Sequence, residues 1–215
     1  TRITSTLDGS STSTIFDLNQ NLVSYWKFNE GNGLTIKDSH GSNTGTLSGS
    51  TWTDGKFGKA LNFDGDNDFV SLTSHPSASV STAMTIALWV KPNVDFDTAS
   101  DHQYFISDMG ASQGFHLKAN GDTGDIDLTT GDGSSVDTNI LAEWDANKWY
   151  HVVVTYDGAI VSFYRDGVLI GTSSNVRPSI GDNTGNVYLS NVGLNSMNGV
   201  MDDFKIYNKA LNRQE

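Results

Sequence analysis

The chain has 215 residues and no cysteine, and its 25 acidic residues outweigh 13 basic ones to give a formal net charge of −12. This balance argues against a nucleic-acid partner, because phosphate contacts need Lys and Arg. No apolar run approaches the roughly 18 residues of a membrane-spanning helix, so we expect no membrane insertion. Without cysteine, the chain can form neither disulfides nor thiolate metal sites.

The first twenty residues are rich in Ser and Thr. Such a composition buries too little apolar surface to order a segment by itself. We therefore predict a linker or amino-terminal arm over residues 1–20, followed by one domain over residues 21–215. The chain begins at Thr1 rather than Met, which favours a mature product or an excised part of a multidomain parent protein.

From Leu22 onward, short apolar segments alternate with turn residues. This pattern is typical of an all-β sandwich. Asp166-Gly167 predicts a two-residue hairpin, since both residues tolerate the positive φ of a type I′ turn. One short helix is predicted at 209–213. The predicted strands are 25–28, 61–63, 69–72, 84–91, 104–107, 114–119, 125–129, 151–156, 160–165, 168–172, 187–190 and 201–207.

The last predicted strand shows a clear alternation. Asp202, Phe204 and Ile206 fall on one face if the strand is regular. A buried carboxylate without a partner is costly, so Asp202 needs a cation or a hydrogen-bond donor.

Four segments in a fixed order carry a family resemblance. They are SYWKFNEGNG (24–33) with DSHGSNTGTL (38–47), GKFGKALNFDG (55–65) with DFV (68–70), MTIALWVKP (84–92) with WYHVVVTYDG (149–158), and GVMDDFKIYNKAL (199–211). With them, residues 22–214 resemble the LamG-like jelly-roll domains of the concanavalin A-like superfamily. The resemblance implies a two-sheet antiparallel β-sandwich. It also implies an extracellular or cell-surface module that binds glycans or extracellular proteins.

The resemblance further implies a structural calcium ion held by an Asp of the last strand, which is Asp202 here. The first and last strands of jelly rolls lie side by side, so we expect Glu30 near Asp202. Asp38 and Asn43 follow the early glycine-rich turn and offer further oxygen atoms, which Ca²⁺ prefers. The alternative role of Glu30 and Asp38 is to cap turns.

A second acidic cluster offers another calcium site. Asp64, Asp66 and Asp68 have the Asp-x-Asp-x-Asp spacing of a calcium loop, without the downstream Gly and Glu of an EF-hand. The competing interpretation is a hairpin loop with Asp and Asn in left-handed conformations.

Sugar binding is the favoured function. Trp144 lies in a polar segment and is a candidate for an exposed platform, the alternative being that it covers the edge of the core. Asp101, His102 and Gln103 are candidates for a binding-site rim. The alternative is a protein-interaction or surface-assembly module without a sugar site.

The sequence argues against catalysis. The chain has only three Glu, and none lies in the paired-carboxylate motif of jelly-roll glucanases. The nearest approximation is the Asp125–Asp127 pair on one predicted strand. We therefore predict that the protein is not an enzyme.

Overall fold

The computed structural model describes residues 17, 19–110, 113–132, 135–193 and 195–215. Two short 3-10 helices, Pro76–Ser79 and Phe96–Thr98, interrupt a succession of strands. The strands are β1 (Leu22–Trp26), β2 (Thr35–Ile36), β3 (Gly45–Ser48), β4 (Thr51–Asp54), β5 (Lys59–Asp64), β6 (Phe69–Leu72), β7 (Met84–Pro92), β8 (Gln103–Gly110), β9 (Gln113–Ala119), β10 (Ile126–Asp132), β11 (Ser135–Val136), β12 (Tyr150–Tyr156), β13 (Val161–Arg165), β14 (Val168–Ser173), β15 (Tyr188–Ser190) and β16 (Asn198–Tyr207).

These strands form two eight-stranded sheets, and every pairing is antiparallel. The first sheet has the order β14-β13-β12-β7-β16-β5-β4, and β1 also pairs with β16. The second has the order β11-β10-β9-β8-β15-β6-β3-β2. The predicted β-sandwich jelly roll is thus confirmed, and so is the adjacency of the first and last strands.

The core lies between the sheets, where alternate side chains of both interdigitate. Nine apolar residues of the predicted strands are at most 1% exposed. They are Trp26, Phe28, Phe63, Ile86, Leu88, Val152, Val154, Phe204 and Ile206. One contiguous cluster contains them all, so the described domain has a single hydrophobic core.

Of the two local predictions, one hairpin turn and one short helix, only the hairpin turn is present in the structure. The predicted hairpin at Asp166 and Gly167 is confirmed, with φ of 52° and 80° between β13 and β14. The helix predicted at 209–213 is wrong. There the Thr85 hydroxyl donates to the Lys209 carbonyl at 2.7 Å and accepts from the Leu211 N–H at 2.9 Å. These bonds tie the extended tail to the first sheet.

A bulge in β16 changes the predicted facing of Asp202. Asp203 has a φ of 55°, and the register with β7 shifts between Asp202 and Lys205. Asp202 pairs with Trp89, whose side chain lies on the outer face of the first sheet, whereas Phe204 points into the core. The expectation that Asp202 and Phe204 share a face is therefore wrong, because one extra residue reverses the alternation.

The amino-terminal prediction lies largely beyond what the structure describes. Residues 1–16 and 18 are outside the described residues, so the boundary of the linker at residue 20 stays a prediction. Among the described residues, no helix has the length and apolar character needed to cross a membrane.

Candidate functional site

The outer face of the second sheet carries a continuous row of hydroxyl and aromatic side chains. Strand register aligns one residue from each of six neighbouring strands. Their partners on alternate positions, such as Val70, Leu117 and Leu128, belong to the core. The row therefore faces away from the sandwich interior. We call it the polar row: Thr46, Ser71, Tyr188, Ser107, His116 and Thr129.

Aromatic rings lie within the polar row and beside it. Tyr188 meets Phe69 edge-on, with ring centroids 5.1 Å apart. Tyr104 meets His116 in the same way, also at 5.1 Å. The rings offer apolar surface within a face of hydroxyl groups, and a sugar presents the complementary combination of C–H patches and hydroxyls.

An ion pair lies beside the row. Lys118 Nζ is 3.6 Å from Asp127 Oδ2, and the two side chains are 10% and 1% exposed. Lys118 Nζ also lies 5.7 Å from the centroid of the Tyr104 ring. No described helix or strand packs over this face, so the burial comes from neighbouring side chains and the segment after β11. Burying both charges costs desolvation free energy, which offsets much of their attraction. The presence of the ion pair is therefore weak evidence that its role is only to stabilise the fold.

Asp127 is held by several donors. Its Oδ1 accepts hydrogen bonds from the Thr138 N–H at 2.6 Å and the Asn139 N–H at 2.9 Å. Its Oδ2 accepts from Asn120 Nδ2 at 3.3 Å. The carboxylate therefore organises the loop at the edge of β10 and is not free to attack a substrate.

His116 is neutral at ordinary pH. Burial, and then the nearby Lys118 charge, lower the pKa of its imidazole from 6.5 to about 4. Its Nδ1 is buried without a hydrogen-bond partner among the described residues. An uncharged ring with a vacant nitrogen suits a hydroxyl-bearing ligand.

Trp144 does not have the predicted exposed position. It is 2% exposed and packs against Phe96, Phe105 and Tyr150, with centroid distances of 5.5, 6.0 and 5.4 Å. Its indole N–H donates to the Gly124 carbonyl at 2.7 Å. The polar sequence around it reflects a surface loop into which the ring is folded, and the expectation of an exposed platform is corrected.

The three rim candidates lie near the entrance to β8. Gln103 is 4% exposed and bridges two segments, because its Oε1 accepts from the Asn198 N–H and its Nε2 donates to the Asp101 carbonyl. His102 accepts from the Gly121 N–H and lies 6.4 Å from the Tyr104 ring. His102 thus extends the aromatic end of the polar row, whereas Gln103 holds the backbone. A ligand role for Asp101, His102 and Gln103 stays a prediction.

Asp202 lies under the β4–β5 hairpin loop. The Phe57 N–H donates to its Oδ2 at 2.9 Å, and its Oδ1 is buried without a partner among the described residues. A Cβ on Gly55 would come within 2.6 Å of Oδ2, so only glycine allows this approach. Burial raises the pKa of the carboxyl to about 6, partly offset by the Phe57 N–H.

The segment that carries Glu30 contacts the same hairpin. Asn29 Oδ1 accepts from the Lys59 N–H at 2.8 Å, which places the chain before Glu30 against the start of β5. Glu30 Oε1 accepts from the Lys37 N–H, while its Oε2 is buried and unpartnered among described residues. Glu30 Oε2 and Asp202 Oδ1 are thus two buried carboxylate oxygens without a donor among the described residues.

Asp38 and Asn43 are engaged by the protein itself. Asp38 Oδ1 accepts from the N–H groups of Tyr25, His40 and Gly41, and its Oδ2 accepts from that of Asn43. These bonds lower the pKa of Asp38, although burial opposes them. The Asn43 side chain accepts from the Ser74 N–H. Both residues fit the turn-organising alternative more directly than a ligand set.

The second acidic cluster forms the loop between β5 and β6, which crosses from the first sheet to the second and is therefore not the expected hairpin loop. Asp68 Oδ2 accepts from the Asp64 N–H, Asp64 Oδ1 accepts from the Asp66 N–H, and Asn67 has a φ of 58°. Burial raises the pKa of Asp68. In the described part of the chain, no three His, Asp or Glu side chains converge as a metal site, so any ion would depend on backbone carbonyls as well.

The row residues were not among the sequence candidates. Tyr104, His116, Lys118 and Tyr188 lie in three short strands, and only the register shows that they share a face. One sequence signal was available. Apolar Phe115 and Leu117 alternate with polar His116 and Lys118, and such alternation indicates a strand with one apolar and one polar face.

The fold and this face define a β-sandwich of the lectin-like jelly-roll class. A family model of the concanavalin A-like lectin/glucanases superfamily matches residues 64–215. The chain belongs to that family, as its four sequence segments predicted. A search of curated proteins finds no match.

Solved structures share the fold at low sequence identity. The binding domain of Paraclostridial Mosquitocidal Protein 1 has a TM-score of 0.74 and 20% identity, covering 92% of this chain and 51% of that one. Domain 4 of an extracellular GH43 arabinanase from Geobacillus stearothermophilus, in complex with arabinotriose, has a TM-score of 0.69 and 21% identity, covering 90% and 95%.

A third similar structure is the binding domain of Botulinum Neurotoxin DC in complex with SialylT. Its TM-score is 0.70 and its identity 18%, with 91% of this chain and 50% of that chain covered. The chain thus spans about half the length of the two toxin binding domains and nearly all of the arabinanase domain.

Proposed function

We propose that this protein is a non-catalytic carbohydrate-binding module whose polar row holds an extended glycan. The observation that carries the proposal is the row itself. Four hydroxyl side chains, the Tyr188 phenol and the His116 imidazole lie in register across six strands. Thr46, Ser71, Tyr188 and His116 are at least partly accessible, whereas Ser107 and Thr129 are buried. Hydroxyl groups contribute little to packing and cost free energy to order. A face rich in hydroxyl groups therefore favours a role in binding a sugar chain.

The dimensions of the row suit a polymer. Neighbouring strands lie about 4.8 Å apart, so six strands span about 24 Å. That spacing is comparable to the repeat of one sugar unit in an extended chain. Each strand would then meet about one sugar, with Tyr188 and Tyr104 as stacking platforms and Ser107 and His116 between them as hydrogen-bonding groups.

The same face supports binding without cleavage. A retaining glycosidase needs two carboxyl groups about 5–5.5 Å apart, one of them free to attack. Asp127 is the carboxylate beside Lys118, and its oxygens accept from Thr138, Asn139 and Asn120. Asp137 is engaged by the Thr129 hydroxyl. Neither is arranged as a nucleophile.

Calcium belongs to the proposal as a structural element. Asp202 has a buried, unpartnered oxygen beside the loop 55–59, and Glu30, which follows Asn29 at the same loop, has another. A hard cation with additional carbonyl ligands would suit such oxygens. When bound there, Ca²⁺ would neutralise the buried Asp202 carboxylate. The setting we propose is extracellular, within a larger protein, because calcium and polymeric glycans are both available outside cells.

The test is a glycan array followed by calorimetry with a bound oligosaccharide. Tyr188→Ala should weaken binding at least tenfold, about 1.4 kcal/mol, because it removes a central platform. Trp149→Ala, which removes a ring beside Lys91 on the first sheet and outside the cleft described below, is the matched control and should leave this oligosaccharide's affinity unchanged. Equal affinity in the Tyr188 variant and the parent would refute the row as the binding site.

A protein-interaction role is the second candidate, and one observation favours it. The edge strand β14 exposes Val168 and Leu169, which are 64% and 48% accessible. Exposed apolar side chains on an open edge can receive a strand from a partner. Failure of the array together with concentration-dependent association, abolished by Leu169→Lys, would favour this function instead.

A further inference from the structure

A cleft of about 650 Å³ lies on the outer face of the first sheet, opposite the polar row. Strand register aligns its floor across five strands. The side chains in the middle of the floor, Val153 and Ala87, are short. Longer side chains stand on both sides of them: Tyr164 on one side, and Lys205 and Tyr25 on the other. A short side chain between long ones makes a trough.

The carboxy-terminal tail gives the trough a wall. Thr85 anchors the tail through hydrogen bonds to Lys209 and Leu211, and Lys209 pairs with Glu215. Asn19 and Leu22 close the side at the start of β1. The wall is thus held by specific bonds to the sheet, and the cleft is a built shape within the described residues.

The charges around the cleft largely cancel. The Lys205 ammonium binds Asp203 at 2.8 Å and lies 4.3 Å from the centre of the Tyr25 ring, and the Tyr25 hydroxyl also donates to Asp203. Burial, and then the Lys205 charge, lower the pKa of His151, so its ring is neutral. Arg213, an exposed basic side chain, also lines the cleft beside these paired charges.

Two polar groups in the cleft have unused hydrogen-bonding capacity among the described residues, although the His151 ring also packs against Trp89 with centroids 4.9 Å apart. The Tyr164 hydroxyl and the His151 ring make no hydrogen bond to any residue that the structure describes. Their neighbours Ala87, Val153 and Leu22 are apolar. An apolar floor with a phenol and a neutral imidazole at its edge complements a ring that has a C–H face and hydroxyls at its rim.

We infer that the cleft is a second saccharide site, which takes the end of a neutral glycan of about two sugar units, as the volume allows. The two faces of one sandwich would then bind sugar independently. A module with two such sites links glycan chains or gains avidity on one surface, without a second copy of the domain. This site does not depend on the polar row.

The test uses a panel of neutral disaccharides (maltose, cellobiose, lactose and arabinobiose) in nuclear magnetic resonance titrations of the Tyr188→Ala protein, where the row is disabled. Expected shifts cluster at Ala87, Val153 and Tyr164. Ala87→Phe fills the trough from an outer-face position and should reduce affinity at least tenfold. Thr172→Phe adds the same ring on the same face outside the cleft and should have no effect. Melting temperatures check that each variant is folded.

The outcomes separate the two sites. Loss of disaccharide binding in Ala87→Phe, with oligosaccharide binding at the row retained when Tyr188 is present, supports the cleft. If Ala87→Phe does not fold, Tyr164→Ala tests the same site by removing one flank. Unchanged binding in both variants overturns the inference, and so does a panel in which no disaccharide binds at millimolar concentration.

Discussion

The backbone N–H of Phe57 donates a 2.9 Å hydrogen bond to Asp202 Oδ2, joining residues 145 positions apart, while Oδ1 of the same carboxylate has no described partner. The loop that carries Phe57 also folds its ring edge-on against Trp89, with centroids 5.9 Å apart. The carboxylate is therefore sealed under a loop with half of its hydrogen-bonding capacity unused. A bound cation would satisfy the other half.

Calcium should stabilise the fold through this carboxylate. An ion that binds only the folded state contributes about 2.7 kcal/mol at a concentration one hundred times its Kd. At roughly 2–4 °C per kcal/mol for a domain of this size, EDTA should lower Tm by several degrees, and calcium should restore it. Differential scanning calorimetry measures both.

Asp202→Asn separates the ion from the hydrogen bond, since the amide oxygen still accepts from Phe57. Because burial disfavours the ionised form, this variant should be more stable than the parent in EDTA and less stable in calcium. Asp66→Asn, in the β5–β6 loop, is the control and should keep the parent's calcium response. If the calcium response of Tm is instead lost only in Asp66→Asn, the ion binds at the second acidic cluster and not at Asp202.

Strand periodicity predicts which side chains face the core only where the strands are regular. It identified the core because Ile86, Leu88, Val152 and Val154 alternate regularly in paired strands. It failed at Asp202 because the bulge at Asp203 inserts one residue, and no local signal marks a bulge. The polar row was missed because register between distant strands is a tertiary property.

Acid should destabilise the protein through His116. Its pKa is 6.5 in the unfolded chain and about 4 in the fold, so between these values the unfolded state binds more protons and stability falls as pH falls. At about 1.4 kcal/mol per pH unit, the loss by pH 4 approaches about 3 kcal/mol. Urea unfolding of the parent and of His116→Gln measures it. A variant with an equally steep decline over this window would show that other groups cause it.

Trp144 should behave as a core residue. Removing its ring from the contacts with Phe96, Phe105 and Tyr150 leaves a large cavity, so Trp144→Ala should cost about 3–5 kcal/mol of unfolding free energy. The folded fraction of Trp144→Phe should bind the array-selected oligosaccharide as the parent does. A selective loss of affinity with unchanged stability would restore Trp144 as a binding platform.

Glycan length should control affinity at the polar row. If each of six strands meets about one sugar, affinity should rise with each added unit until the chain covers the roughly 24 Å width of the row, and then level off. Calorimetry with an oligosaccharide series of two to eight units measures the profile. Ser71→Trp, toward one end of the row, should shorten the plateau by blocking the units beyond Tyr188, whereas Tyr188→Ala should lower affinity at every length that reaches it. Affinity already maximal for a disaccharide would contradict an extended site, because a pocket for one chain end gains nothing from further sugars.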